Sequence, residues 1–289
     1  MPSLIDFRRR IRSVKNTQQI TKAMKMVSAA KLRRAQDRVI AARPYAKLMR
    51  EMLADLAAGA ANDPRSSDSP WLVHHEPKRV ELIFVTSDTG LAGAFNSNLL
   101  KASQKFLEER AGAEISLTLV GRKGRDYFRR RHGKILAEYI NVLGRPTYAD
   151  AAAIAAATIQ RYRDGEIDAV FILNNEFKSV MSQTLSVMQL LPVDLSKPGA
   201  PPPPDYIYEQ SPLEMLESLM PRYVEVAVFR ALLETVAAYQ AARMTAMDKA
   251  SSNAKEVIDN LTLHMNRVRQ AAITKEIIEV VSGAAAAEE

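Results

Sequence analysis

The stretch that decides the fold is Ile20–Gln36, ITKAMKMVSAAKLRRAQ. Read as a helix, it places Ile20, Met24, Val27 and Ala30 on one face. Lys22, Lys25, Lys31, Arg33, Arg34 and, just beyond, Arg38 surround them, and Asp37 is the only acid among them. Like charges three and four apart on a helix repel by a few tenths of a kcal/mol per pair. A helix that concentrates positive charge around an apolar stripe calls for an acidic partner.

The flanking sequence extends the helix in both directions. No Gly occurs before Gly59, and Leu4, Phe7, Ile11 and Val14 recur at helical spacing. Leu32, Ala35, Val39, Ala42, Ala46, Met49, Leu53 and Leu56 continue at intervals of three and four, the spacing of a coiled coil. Pro44 should kink this helix or leave a local defect. A helix of that extent would be roughly 84 Å long.

The other end of the chain has the same texture. Ser211-Pro212-Leu213-Glu214 reads as a capping box with Pro at the first helical position. Pro221 should break that first helix early. From there to Ser282 neither Pro nor Gly occurs again, and Gly283 is the expected C-cap of a helix of roughly 93 Å. Ala238, Ala242, Ala246, Ala250 and Ala254 form a small-residue row, continued by Val257, Leu261, Met265, Val268 and Ala272. Two such helices most simply pair antiparallel, because the intervening chain returns to its start. Neither stripe reads as a clean heptad throughout. A level start would put Met24 opposite Leu261 and Arg243 opposite Ala42. The apolar surface of Ala271–Val281 covers more than one face, so we expect a stagger that leaves this tip unpaired by the N-terminal helix and enclosed by other chains.

Between the helices the pattern changes. VELIFVTS, ISLTLVGRKG, IDAVFILNNEF and SQTLSVMQLLPV are buried-type strands. Helix-like segments around Phe95–Ala111, Arg122–Arg131 and Tyr148–Arg163 separate them, which implies an α/β sheet with mainly parallel strands. The fold class expected is therefore α/β plus a long α-helical coiled coil. Residues 1–59 with 211–289 form a discontinuous antiparallel shaft, 60–79 a linker, 80–195 a Rossmann-like domain and 196–210 a Pro-rich spacer.

Composition narrows the function. Residues 1–50 hold 14 Lys/Arg against 2 Asp/Glu, whereas 51–210 hold 18 against 20 and 211–289 hold 8 against 11. The net charge of +7 thus belongs to the N-terminal segment, and so does the pull on an acidic partner. There are no cysteines, which excludes disulfides, thiolate metal sites and a Cys nucleophile. His74, His75, His132 and His264 show no zinc-type spacing. No apolar run approaches the ~18 residues that span a bilayer. FRRRIRSV has the look of a transit peptide, but Asp6 and the unbroken helical pattern after it favour mature structure.

Two stretches invite chemistry. TSDTGLAGAFN, Thr86–Asn96, sits between strand and helix like a phosphate loop but lacks the Lys-Ser/Thr of a P-loop and the three-glycine dinucleotide fingerprint. It reads as a tight strand-to-helix turn. GRKGRDYFRRR, Gly121–Arg131, reads as a solvated basic helix, because no stacking aromatic set accompanies it. No constellation of catalytic residues is evident.

Taken together, ITKAMKMVSAAKLRRAQ, SDTGLAGAFN, AARMTAMDKASSNA and RQAAITKEIIEVVSGA resemble the gamma-subunit family of the F-type, rotary ATP synthase, over Ser3 to about Ala286. The resemblance implies an antiparallel helix pair acting as a central shaft, and a Rossmann-like foot without a nucleotide site. It implies one copy turning inside three alpha and three beta subunits, with an epsilon subunit and a membrane c-ring at the foot. It implies coupling of proton flow to ATP synthesis or hydrolysis at the beta subunits. No catalytic residue, cofactor, metal, nucleic acid or small-molecule substrate is implied for the chain itself. Lys22, Met24, Lys25, Lys31, Arg33, Arg34, Arg243, Arg269, Gln270 and Thr274 match positions of beta-subunit contact or coupling, and the acidic partner becomes a beta-subunit loop. Tyr206 and Tyr208 are candidates for contact with the c-ring or epsilon. The implied location is peripheral, on the cytoplasmic face of a bacterial inner membrane. The alternative is a basic coiled-coil protein that binds nucleic acid or acts as a scaffold.

Overall fold

The computed structural model describes residues 4–60, 65, 69, 71, 77–131, 134–193 and 210–285, with no side-chain burial for 283–285. The elements are α1 (Leu4–Ala60), β1 (Arg79–Val85), α2 (Phe95–Glu109), β2 (Glu114–Val120), α3 (Arg122–Phe128), β3 (Ile135–Tyr139), a 3-10 turn (Val142–Gly144), α4 (Tyr148–Arg163), β4 (Ala169–Phe177), β5 (Gln183–Leu191) and α5 (Pro212–Ala285). They divide into two compact units. One is Met1–Ser28 with Met244–Glu289, the other Ala29–Arg243.

The larger unit is a five-stranded sheet in the order β3-β2-β1-β4-β5. β1 pairs in parallel with β2 and β4, β2 with β3 likewise, and only β5 is antiparallel, to β4. The near-continuous apolar runs of β1, β2 and β4 follow from burial on both faces. On one face Ile83, Val85, Val170 and Ile172 pack with Ile154 and Ile159 of α4, Leu53 and Leu56 of α1, and Leu216 and Val224 of α5. On the other, Phe84 meets Phe128 of α3 and Phe171 meets Phe106 of α2, both edge-on. The edge strand β3 escapes a pattern-based reading because it has five residues, none fully buried.

Two charged groups are sealed into this unit, each with its partners. Glu81 on β1 is fully buried and accepts from Thr118, Thr158 and both ends of the Arg161 fork, the shortest contact being 2.6 Å. Glu234 on α5 accepts from Arg43 at 3.0 Å and from the Phe177 amide at 3.0 Å. Buried carboxylates persist where such donors replace water.

The helix-start signal at Ser211 holds, and the stop signals at Pro221 and Gly283 do not. Ser211 Oγ accepts from the Glu214 amide at 3.3 Å, as the capping pattern predicts. The predicted break at Pro221 does not occur, and α5 passes through it. One hydrogen bond is forgone there, but buried Leu216, Met220 and Val224 anchor the turns on either side. α1 likewise continues through Pro44. Gly283 lies inside α5 rather than capping it, since the helix extends to Ala285.

In the smaller unit the stripe differs from its sequence reading. Ile20 and Val27, assigned to the apolar face, are 60% and 55% exposed. Most of the less exposed positions, Leu4, Phe7, Ile11, Val14, Gln18, Thr21, Lys25 and Ser28, alternate at three and four, with half-buried Asp6 and Met24 beside that line. The heptad is therefore regular, but its central positions are polar, and a hydrophobicity criterion slips off it onto the neighbouring face. On α5 the matching positions are Met247, Ser251, Ala254, Ile258, Leu261, Met265, Val268 and Ala272, with Ile258 in place of the expected Val257. Gln18 Nε2 donates to the Ser251 carbonyl at 3.4 Å, and Lys25 Nζ lies 2.5 Å from Asp248 Oδ1. Lys25 would have faced Asn260 had the helices started level, so the register is shifted by a dozen residues. Ala271–Val281 is exposed apart from half-buried Ala272.

Candidate functional site

The basic residues singled out above divide between the units. In the smaller one Lys22 is exposed, Met24 half-buried, and Lys25 committed to Asp248. Arg269, Gln270 and Thr274 are exposed on α5, and the Thr274 hydroxyl returns to the Gln270 carbonyl at 2.9 Å. In the larger unit Lys31, Arg33 and Arg34 are exposed on α1 and form no ion pair among the described residues. Arg38 donates to the Pro146 carbonyl and Arg43 pairs with Glu234. The charge concentration of the opening stretch is thus partly met within the chain, at Lys25, Arg38 and Arg43. The remainder, Lys22, Lys31, Arg33 and Arg34, is open to solvent. Tyr206 and Tyr208 lie outside the described residues.

The apolar tip is the second exposed feature. Ile273, Ile277, Ile278, Val280 and Val281 are between 47% and 71% exposed on the last turns of α5. At 3.6 residues per turn they share about half of the helix circumference, with Lys275, Glu276 and Glu279 on the other side, so they form an exposed apolar stripe with no cover among the described residues.

A third feature sits where the strands of the larger unit end. Chain order reverses between β1 and β4, so a crevice opens at their carboxyl ends. Thr86 leaves β1 with its hydroxyl donating to the Val120 carbonyl at 3.2 Å and accepting from the Gly124 amide at 2.9 Å. Gly121 is required there: its φ is +98°, and an added Cβ would stand 2.8 Å from the Thr86 carbonyl oxygen. The turn after β1 is tied down by Ser87 to Asn96 at 2.9 Å and by Thr89 to Tyr239 at 2.6 Å. Tyr239 also donates to the Gly90 carbonyl at 3.1 Å. This is the strand-to-helix turn expected for TSDTGLAGAFN, held by α5. A cavity of about 260 Å³ adjoins it, bordered by Lys31, Asp88, Asn141, Thr235, Gln240 and Arg243 among others. The sequence offers one signal for it, the polar run Thr86–Thr89 at a strand end. Nothing marks Thr235 and Gln240, which look like ordinary members of a long helix.

Among the described residues no helix is long and apolar enough to cross a membrane. None of their His, Asp and Glu side chains gather in a group of three able to hold a metal ion.

An α/β unit and a two-helix unit both draw on the two long terminal helices, a helix-flanked α/β class of protein. The ATP synthase family description matches residues 3–287. The ATP synthase gamma chain of Solibacter usitatus (strain Ellin6076) is 59% identical over the whole of both chains, and that of Geobacter metallireducens 50% identical over 98% of each. Among solved structures, a chain of the Tetrahymena thermophila mitochondrial ATP synthase central stalk and c-ring is 25% identical, with a TM-score of 0.62 over 80% of this chain and 99% of that one. A chain of the Euglena gracilis mitochondrial ATP synthase, 18% identical, shares the fold with a TM-score of 0.67 over 98% of this chain and 94% of that one. The chain belongs to the ATP synthase gamma-chain family. The reading as a nucleic-acid-binding or scaffold coiled coil finds no support in these comparisons.

Proposed function

We propose that the chain is the central-stalk rotor subunit of a proton-translocating ATP synthase, with residues 1–59 and 211–289 as its antiparallel coiled-coil shaft and 80–195 as its foot. One copy turns inside three alpha and three beta subunits, with epsilon and the membrane c-ring at the foot, on the cytoplasmic face of a bacterial inner membrane. It carries no catalytic site of its own. Three identical catalytic subunits differ only if something without threefold symmetry touches them differently, and a change of ligand affinity requires such differential contact.

The observation that carries this reading is the exposed apolar tip of α5. An exposed apolar stripe of this extent marks a contact surface, and a bearing formed by the alpha and beta subunits would cover it. The open cations Lys22, Lys31, Arg33 and Arg34 complement it. Solvent-exposed pairs contribute only about 0–1 kcal/mol each, so acidic beta-subunit loops could meet them in turn without a deep well that locks the rotor. Met24, Arg243, Arg269, Gln270 and Thr274 are the further coupling positions, and Lys25 joins them only when released from Asp248.

Ile277→Asp with Val280→Asp tests the reading. Both side chains are exposed, so the chain alone should keep its helix content and melting temperature. Assembly with alpha and beta subunits should yield a complex whose ATP-driven proton pumping is lost. Normal pumping in the doubly charged variant would exclude a bearing for the tip. Arg243→Ala should lower proton pumping more than ATP hydrolysis, and equal loss of both would make Arg243 structural.

A further inference from the structure

The cavity at the strand ends of the larger unit has a chemical demand that the rotor reading leaves unused. Four buried side-chain atoms among the described residues find no hydrogen-bond partner: Asp88 Oδ2, Thr235 Oγ1, Gln240 Oε1 and Arg243 Nε. All four residues border this one cavity. Thr235 and Gln240 are 1% and 8% exposed, so bulk water does not serve them. A buried polar group left without a partner costs on the order of 1–3 kcal/mol. A cluster of four around one space is therefore a built site rather than scattered defects.

The atoms specify what belongs there. Arg243 Nε is a donor and seeks an acceptor, and the Lys31 ammonium at the same cavity seeks another. Asp88 Oδ2 and Gln240 Oε1 are acceptors and seek donors, while the Thr235 hydroxyl serves either way. Asp88 Oδ1 already accepts from the amides of Arg122 at 3.1 Å and Asn141 at 3.0 Å, which leaves Oδ2 as the unpartnered acceptor. Two cations and one carboxylate leave the site with a charge of +1. A simple anion such as sulfate would satisfy the cations but set a bare oxygen against Asp88 and Gln240. A monoanion that also carries O–H groups satisfies both halves. The cavity, at about 260 Å³, is several times the ~30 Å³ that one water occupies in the liquid.

We propose that this cavity, between the carboxyl end of β1 and the Thr235–Arg243 segment of α5, is a binding site for a small protonated oxyanion of the dihydrogen phosphate class. The ionised oxygens face Arg243 and Lys31, and the O–H groups donate to Asp88 and Gln240. The residues of the site all belong to the larger unit.

Discrimination between phosphate and sulfate is the test, because the two are alike in size and differ in carrying O–H groups at neutral pH. Titration calorimetry of the full-length chain with inorganic phosphate should show one site, with sulfate binding at least tenfold more weakly. Asp88→Asn replaces the orphan acceptor by an amide donor of the same shape and keeps an oxygen for the Arg122 and Asn141 amides. This variant should bind sulfate at least as well as phosphate. Thr235→Val should weaken phosphate severalfold without changing the preference. Absence of phosphate binding to the unmodified chain, or equal binding of both anions, would overturn the proposal and leave a cavity that holds water. Should Asp88→Asn fold poorly, the comparison of the two anions on the unmodified chain still decides.

Discussion

The two units solve the same problem, burial of a helix face, in opposite ways. In the larger, α1 and α5 present Leu53, Leu56, Leu216 and Val224 to a dry core in which each is almost inaccessible. In the smaller, the same two helices meet through Gln18, Thr21, Lys25 and Ser28 on one side and Ser251 and Ala254 on the other, while Ile20, Val27 and the α5 tip face outward. This small and polar part of the seam gains little from the hydrophobic effect, at ~25 cal/mol per Å² of apolar surface, compared with the part lined by Leu4, Phe7, Ile11, Leu261 and Met265. An outward apolar face forgoes that gain altogether unless something else covers it. The larger unit thus buries its helix faces within the chain, whereas the smaller leaves Ile20, Val27 and the α5 tip uncovered by it.

The sharpest way to break this contrast is at the sealed charges of the larger unit. Arg161→Ala strands Glu81 without its cation inside the sheet, and removing one partner of a buried pair costs about 3–5 kcal/mol. Urea denaturation of the full chain should show that loss. Arg161→Met combined with Glu81→Leu should recover much of it, since an apolar replacement of both partners is often neutral. No difference between the single and double variants would mean that Glu81 is solvated in the folded chain.

The seam of the smaller unit is tested by a pair of neighbours. Ser28 is 1% exposed and Val27 55% exposed. Ser28→Leu forces a large side chain into the closed position and should destabilise by about 1–3 kcal/mol, as overpacking does. Val27→Ser should change stability by less than about 0.5 kcal/mol, as surface changes do. The hydrophobic reading of the sequence predicts the reverse order, so thermal melts of the two variants choose between them.

That reversal shows what was legible in the sequence and what was not. The strands β1, β2, β4 and β5, the helices between them and the extent of α1 follow from apolar pattern, whereas α5 runs beyond its expected bounds at both ends, through Pro221, where buried Leu216, Met220 and Val224 carry it, and past Gly283. Between Ile20 and Ala30 the hydrophobic phase of α1 differs from its burial phase, because polar Thr21 and Ser28 take the closed positions while Ile20 and Val27 stay exposed. The polar cavity was illegible for a different reason. Asp88 is far in sequence from Thr235 and Gln240, and it meets them only through the passage of α5 along the strand ends.

A smaller effect probes the larger unit from its surface. Thr147 caps α4: its hydroxyl and amide both bond Asp150, at 2.6 and 2.8 Å, and the Asp150 amide returns to Thr147. Thr147→Ala should cost about 1 kcal/mol. The side-chain bond from Thr147, then the backbone bond, hold the Asp150 carboxyl below its ordinary value of 3.8. A depressed carboxyl contributes stability that is present above the ordinary value and is lost as pH falls through the lowered one. The stability gap between the unmodified chain and Thr147→Ala should therefore be constant from pH 7 to about 5 and narrow below 3.8. A gap that widens in acid would have the wrong sign for this cap.

The smallest effect concerns Lys25, the one member of the exposed basic set with an acidic partner of its own. Its contact with Asp248 is short, but the two side chains are 42% and 55% exposed. At such exposure water screens the pair, and ordering two long side chains offsets part of the attraction, so a double-mutant cycle with Lys25→Ala and Asp248→Ala should give about 0.2–1 kcal/mol. Raising the salt to 1 M shortens the screening length to about 3 Å and should reduce the coupling further. A coupling above about 2 kcal/mol that survives high salt would mean that Lys25 is a fixed part of the helix seam. A small, salt-sensitive value leaves Lys25 able to exchange Asp248 for an acid on a neighbouring subunit. That exchange is what distinguishes a seam built to be stable alone from one that shares its charge with moving partners. The cycle therefore measures, at a single ion pair, how far the smaller unit departs from the sealed Glu81–Arg161 arrangement of the larger.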